Sequence, residues 1–356
     1  MGWGVLPNHE CYQSMPSFPY FGHTKHGAWW HNDMSILRFI RNWTLPMAMV
    51  AGATLYFLFA SIPAFDGVAQ VFSRFCDTIL PWFIFLVLFI TFCKVDFRKL
   101  IPVKWNYCVC LFQVAFVWIL VGVVLLFHLK GDQLILAEAV LTCAISPCAA
   151  AAPVVTTKLG GRLEEITTYT FMSNFLCALL IPLCFPLIEK EAHITFVTAF
   201  LRILSQACTV LVLPMALAYV VKHFKPLHGF HQWIINIKDL SYYLWAVQLM
   251  ILTGMTVKNI VHANTTLWFL LLIALFGLLI CIVQFAVGRY VGRFFDRTIE
   301  SGQALGQKNT SFAIWTAFMY LTPLAAVGPG CYILWQNIIN SVEIWKKRKR
   351  GQLASV

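Results

Sequence analysis

Two stretches of this chain place polar groups where the surrounding sequence is apolar. The first, LAEAVLTCAISPCAAAAPVVTTKLGG over residues 136–161, carries Glu138, Thr156 and two prolines, Pro147 and Pro153, six residues apart with four alanines between them. The second, ESGQALGQKNTSFAIWTAF over residues 300–318, sets Gln303, Gly306, Gln307, Lys308, Asn309 and Thr310 ahead of an apolar half. Amides, hydroxyls and a single cation in such settings are equipment for holding ions and small polar solutes. Bond-making chemistry would need more. There is no C-x-x-C and no Cys/His group at zinc spacing. His9, His23, His26 and His31 cluster without an acid–base partner at useful spacing.

Lys308 carries the sharpest expectation. A lysine near the middle of a membrane span costs about 2.5–3.5 kcal/mol on insertion scales, so it is read as functional. Three roles are open to it. It can be a tethered cation that replaces a bound ion against the carbonyl ends of half-helices. It can change protonation during transport, or it can snorkel to the cytoplasmic water. Glu138 is expected at the water interface, with proton carriage or substrate guidance as the other readings. Arg202 and His128 are expected at the interface too, and Trp315 and Tyr320 are candidates to line a substrate path.

Such groups need elements to hold them. The chain has 356 residues, of which 60% are hydrophobic and only 12% charged, where soluble domains have about a quarter charged. This excludes a soluble enzyme, a disordered protein, a nucleic-acid module and a singly anchored ectodomain. At about 20 apolar residues per span, ten segments fit, at about 37–60, 77–95, 105–128, 134–157, 164–188, 194–221, 234–258, 264–291, 300–320 and 325–345. Each proline in span 4 removes a backbone donor and crowds the preceding turn, while the alanines let another backbone come close. Irregular backbone at membrane depth is tolerated only inside protein or along a cavity. Spans 4 and 9 hold the same place in two five-span halves. Interrupted helices at matching positions point to a secondary transporter with repeats, and an odd number of spans per half inverts the second. The expected fold is therefore all-α and polytopic. Ten transmembrane helices form two inverted five-helix repeats, residues 34–190 and 191–345.

The net charge of +11 fits this picture without any nucleic acid. With ten spans and a cytoplasmic N-terminus, 20 of the 26 basic residues fall on the cytoplasmic side and four on the other; Arg202 and Lys308 lie within spans. That asymmetry orients the chain with both termini cytoplasmic. The twelve cysteines lie mostly in or beside apolar stretches and read as packing residues. Residues 1–33 lack a helical period and a signal-peptide core; they read as a flexible tail, with Met34 as an alternative start. Residues 346–356 read as a basic cytoplasmic tail. Short loops and the lack of a targeting signal suggest a bacterial inner membrane.

From about Met34 to Trp345 the chain resembles the bile acid:sodium symporter family. The family's Pro-Gly-Gly-x-x-Ser-Asn frame in span 4 is met by Pro147-Cys148-Ala149-Ala150-Ala151-Ala152-Pro153, followed by Val154, Thr156 and Gly161. Its Glu-x-Gly-x-Gln-Asn in span 9 is met by Ala304-Leu305-Gly306-Gln307-Lys308-Asn309. GPGCYILWQNIINS in span 10 and KVDFRKLIP after span 2 are similar at those points as well. The resemblance implies a panel of spans 1, 2, 6 and 7 beside a core of spans 3–5 and 8–10. Broken spans 4 and 9 would cross in the core, with substrate between core and panel.

The resemblance also implies two sodium ions at the crossing, held by side-chain oxygens. Carried over position by position, the ligands become Ala152, Pro153, Ile166, Thr170, Ala304 and Lys308, of which only Thr170 offers an oxygen. Sodium is therefore expected to be absent, which leaves proton coupling open; no other metal or cofactor is expected. The expected function is secondary transport of a small organic anion, such as a bile acid-like, keto acid or pantothenate-like carboxylate. The residues expected to carry it are Lys308, Asn309, Gln307, Ala304, Pro153, Ala152, Thr156, Thr170 and Glu138. The partners are the solute and the lipid bilayer. The rivals are a membrane-embedded enzyme such as an acyltransferase, and a solute sensor with a transporter fold.

Overall fold

The computed structural model describes residues 43–61, 66–189, 195–237 and 239–353. The expected tail, 1–33, lies outside them. The helices in chain order are α1 (Thr44–Ser61), α2 (Asp66–Cys93), α3 (Lys104–Leu126), α4 (Asp132–Ile145), α5 (Ala152–Lys158), α6 (Leu163–Ile188) and α7 (Phe196–Ala207). They continue with α8 (Leu213–His223), α9 (His228–Asn236), α10 (Leu240–Val261), α11 (Leu267–Arg293), α12 (Thr298–Gly306), α13 (Thr310–Tyr320) and α14 (Val327–Leu353). A π-turn, Cys208–Val212, joins α7 to α8 just before Pro214, which has no donor of its own.

Seven stretches among the described residues are long and apolar enough to cross a membrane: α1, Arg74–Cys93 of α2, α3, α6, the α7–α8 run Val197–His223, α10 and α11. The chain is a multi-pass membrane protein, all-helical among the described residues. The other three expected spans are the two interrupted ones and α14. Each interruption falls where the sequence puts it. Pro147 sits in the gap between α4 and α5, and Pro153 is tolerated in the first turn of α5, where an N–H would lack a partner anyway.

Three boundaries differ from expectation. The second span was expected to open at 77, but α2 begins at Asp66. The seventh span was expected to open at 234, but His228–Asn236 form the separate helix α9. Asp239 then takes the left-handed region (φ 61) before α10 starts. The tail after 345 was expected to be a separate segment, but α14 continues through Lys346–Arg350 to Leu353.

Helices α1, α2, α8 and α10 pack on one another, and α3, α6, α11, α12 and α14 pack around the two interruptions. Close backbone approach binds these groups. A Cβ on Gly288 of α11 would run into the Ser301 backbone of α12, and the Ser301 hydroxyl donates to the Gly288 carbonyl at 2.6 Å. Gly52 of α1 faces the Met250 carbonyl of α10 in the same way. Small residues that admit a neighbouring backbone are the usual packing device between membrane helices.

Candidate functional site

The two interruptions meet. The Ala149 N–H donates to the Gln307 carbonyl and the Asn309 N–H to the Pro147 carbonyl, both at 2.9 Å. This pairs Cys148 with Lys308 as an antiparallel bridge. The C-terminal ends of α4 and α12 and the N-terminal ends of α5 and α13 therefore converge on one point. A half-helix end inside a membrane leaves backbone groups without partners, and neighbouring helices supply them.

On the α4 side, Gln113 of α3 donates from Nε2 to the carbonyls of Ala144, Ile145 and Ser146 at 3.4, 3.1 and 3.2 Å. Tyr169 of α6 donates its hydroxyl to the Gln113 Oε1 at 3.2 Å. Ser173 accepts the Cys148 N–H at 2.9 Å. On the α12 side, Tyr332 of α14 donates to the Gly306 carbonyl at 2.7 Å and accepts from Gln284 of α11 at 3.1 Å. Gln336 of α14 accepts the Lys308 N–H at 2.8 Å and donates to its carbonyl at 3.2 Å, pairing with that residue as a neighbouring strand would.

Lys308 is 1% exposed. Its ammonium donates to the Ala144 carbonyl at 3.1 Å and the Ser146 carbonyl at 3.0 Å. It lies against the negative end of α4, where a cation is favoured, and does not extend to water. Its charge is thus committed to backbone, and it is not among the residues lining the nearby cavity.

Ala152, Ile166 and Ala304 share one apolar cluster with Trp105, Cys148 and Tyr169, each of the three fully buried. Thr170 donates its hydroxyl to the Ile166 carbonyl at 2.9 Å and lies 3.7 Å from the Cys148 sulfur. Pro153 and Thr156 are buried on α5. Among the described residues, the hydroxyl of Thr156 and the Oε1 of Gln307 have no hydrogen-bond partner.

Glu138 corrects an expectation. It is buried in α4 and not at the water interface. Its Oε2 accepts the Thr322 N–H at 3.2 Å, capping the turn after α13, and Oε1 has no partner among the described residues. Trp315 and Tyr320 were candidate path residues. They pack instead in the cluster with Phe185, with Arg202 over the Trp315 ring at 5.9 Å.

Beside the crossing is a cavity of about 110 Å³. Asn309 and Ser311 at the start of α13 and Asn174 of α6 give it polar walls; Ile84 of α2 and Val210 and Leu211 of the π-turn give it apolar ones. Asn309 caps α13 by accepting the Phe312 N–H at 3.1 Å. The site therefore offers amides, a hydroxyl and a helix N-terminus to a small polar or anionic group. Of the expected residues only Asn309 lines it. Asn174, Ser311 and Gln113 went unforeseen, although Gln113 is the only amide between residues 107 and 126.

A model of the sodium bile acid symporter family matches residues 81–291, well over half of the chain. No curated protein matches the sequence.

Proposed function

Because the chain belongs to the sodium bile acid symporter family, we propose that it transports a small organic anion by alternating access, without sodium coupling. Members of this family are transporters, and this chain is a multi-pass membrane protein with the crossing a transporter needs. The observation that carries the sodium-independent part is the place of Lys308. Its fixed ammonium rests on the carbonyl end of α4, while Ala152, Ile166 and Ala304 close up as apolar packing.

The ten-span, two-repeat reading is supported by the way the breaks are held. The α4–α5 break is bonded by α3 and α6, and the α12–α13 break by α11 and α14. These are the third and fifth spans of each half. Spans 1, 2, 6 and 7 would then be the panel that moves against this core. The small cavity lies between them, with α2 and the π-turn on the panel side. The amide-rich wall and the α13 N-terminus favour an anionic head group there. The excess of basic residues in the loops of one side supports a cytoplasmic place for both termini, and short loops suit a bacterial inner membrane.

Uptake into proteoliposomes tests the reading, using labelled pyruvate, pantothenate and taurocholate with sodium or choline outside and with or without a pH gradient. Saturable uptake of at least one solute, at a rate indifferent to sodium, is expected. Saturable stimulation by sodium would overturn the coupling assignment. Binding without flux would make the protein a solute sensor, and a covalently altered solute would make it an enzyme.

A further inference from the structure

Helices α1 and α10 run side by side and touch at Gly52, where a Cβ would meet the Met250 carbonyl and the backbone of Gly254. Beyond that contact, toward the C-terminal ends of both helices, a cavity of about 420 Å³ opens between α1, α2 and α10. Its walls follow helical spacing. Gly52, Tyr56 and Phe59 share one face of α1, and Ile251, Met255 and Lys258 share one face of α10. From Met250 to His262 the groove follows α10 for about 18 Å. That is close to the depth of one leaflet, half of a hydrocarbon core about 30 Å thick.

The lining side chains are apolar except at one end. There the Tyr56 hydroxyl, the Lys258 ammonium and the His262 ring gather, and among the described residues no acidic side chain lines the cavity. His262 Nδ1 lies 2.9 Å from the Lys258 carbonyl, which can only accept, so this nitrogen carries a proton. The Tyr56 hydroxyl stands 3.5 Å from the same nitrogen and cannot donate to it. Its proton is left for another acceptor at the mouth.

We infer that this cavity holds an anionic phospholipid, with an acyl chain along the groove and the phosphate against Lys258, His262 and Tyr56. Apolar walls with a few convergent polar groups are the usual make-up of a small-molecule site, and basic side chains at a membrane surface attract anionic head groups. Lys258 and His262 are exposed. So are Phe57, Phe72 and Phe75 on the same stretches of α1 and α2, which sets the mouth among side chains suited to lipid. The place of the cavity favours a resident lipid over a travelling solute. Helices α1, α2 and α10 pack with one another, and none of the helices that hold the crossing lines the cavity. An occupant here is not handed from one group of helices to the other. It fills the space that opens as α1 and α10 part beyond Gly52, where a void would forfeit contacts along both helices. The inference stands apart from the transport reading.

Native mass spectrometry of the purified full-length protein tests it, with dioleoyl phosphatidylglycerol, dioleoyl phosphatidylcholine or taurocholate added at equal concentration. Phosphatidylglycerol is expected to bind about ten-fold more tightly than phosphatidylcholine. Lys258→Gln/His262→Gln should erase that preference, and Lys130→Gln, an exposed position between α3 and α4, should keep it. Leu55 lines the cavity, so Leu55→Trp fills the groove and should weaken both phospholipids about ten-fold. Equal binding of the two lipids by the parent, or the parent's preference in the double variant, overturns the inference. So does a Leu55→Trp protein that binds lipid like the parent. Taurocholate bound in place of phosphatidylglycerol would make this a solute site, and a dimer that excludes lipid would give the cavity to a second copy of the chain. Either result also overturns it.

Discussion

The indole N–H of Trp105 donates to the Glu165 carboxylate at 2.8 Å. The same carboxylate takes the Nε of Arg297 at 3.0 Å on both oxygens and the Arg162 guanidinium at 3.1 Å. One acid thus ties the starts of α3 and α6 to the residue before α12. Glu165→Ala leaves the half-buried Arg297 and the fully buried Trp105 without it, and a loss of about 3 kcal/mol is expected. Trp105→Phe removes one hydrogen bond and should cost about 1 kcal/mol. Thermal unfolding in detergent measures both, and an unchanged Glu165→Ala variant would remove the latch.

Lys308→Ala should abolish uptake and lower stability by about 2–3 kcal/mol, because two charge-assisted hydrogen bonds to buried carbonyls are lost. Among the described residues, Gln113 would remain as the only side chain on those carbonyls. Parallel uptake and melting measurements check this. Wild-type uptake in Lys308→Ala would show that the ammonium takes no part.

Glu138→Gln keeps an acceptor for the Thr322 N–H and should unfold and transport like the parent. Glu138→Ala strands that N–H inside the protein and should cost about 1–3 kcal/mol. A stable Glu138→Gln protein with no uptake would instead assign proton carriage to this side chain.

Ser311→Leu fills a cavity of about 110 Å³ from its polar wall. Because Ser311 is only half-buried, the melting temperature should hold while the KM for uptake rises at least about ten-fold, equivalent to 1.4 kcal/mol. An unchanged KM would move the solute site elsewhere.

Much of this could be read from residue types alone. Prolines cannot donate and polar runs cannot face lipid, so Pro147, Pro153 and the 303–310 segment announced the interruptions. What bonds the interruptions was hidden, because Gln113, Tyr332 and Gln336 lie far off in the chain and act only through tertiary contact. Glu138 was misjudged for a related reason. A carboxylate in a span looks interfacial until the one N–H it caps, 184 residues away, is in view. The π-turn left only Pro214 as its trace.

The Lys308 ammonium bears on electrical work. A cation that belongs to the chain has no concentration difference across the bilayer, so it cannot drive a solute uphill. If neither sodium nor a proton accompanies the anion, each turnover moves net charge, and the membrane potential biases its direction. With the interior negative by 100 mV, outward movement of a monoanion is favoured by about 2.3 kcal/mol, so the resting cell would use such a protein to expel its solute.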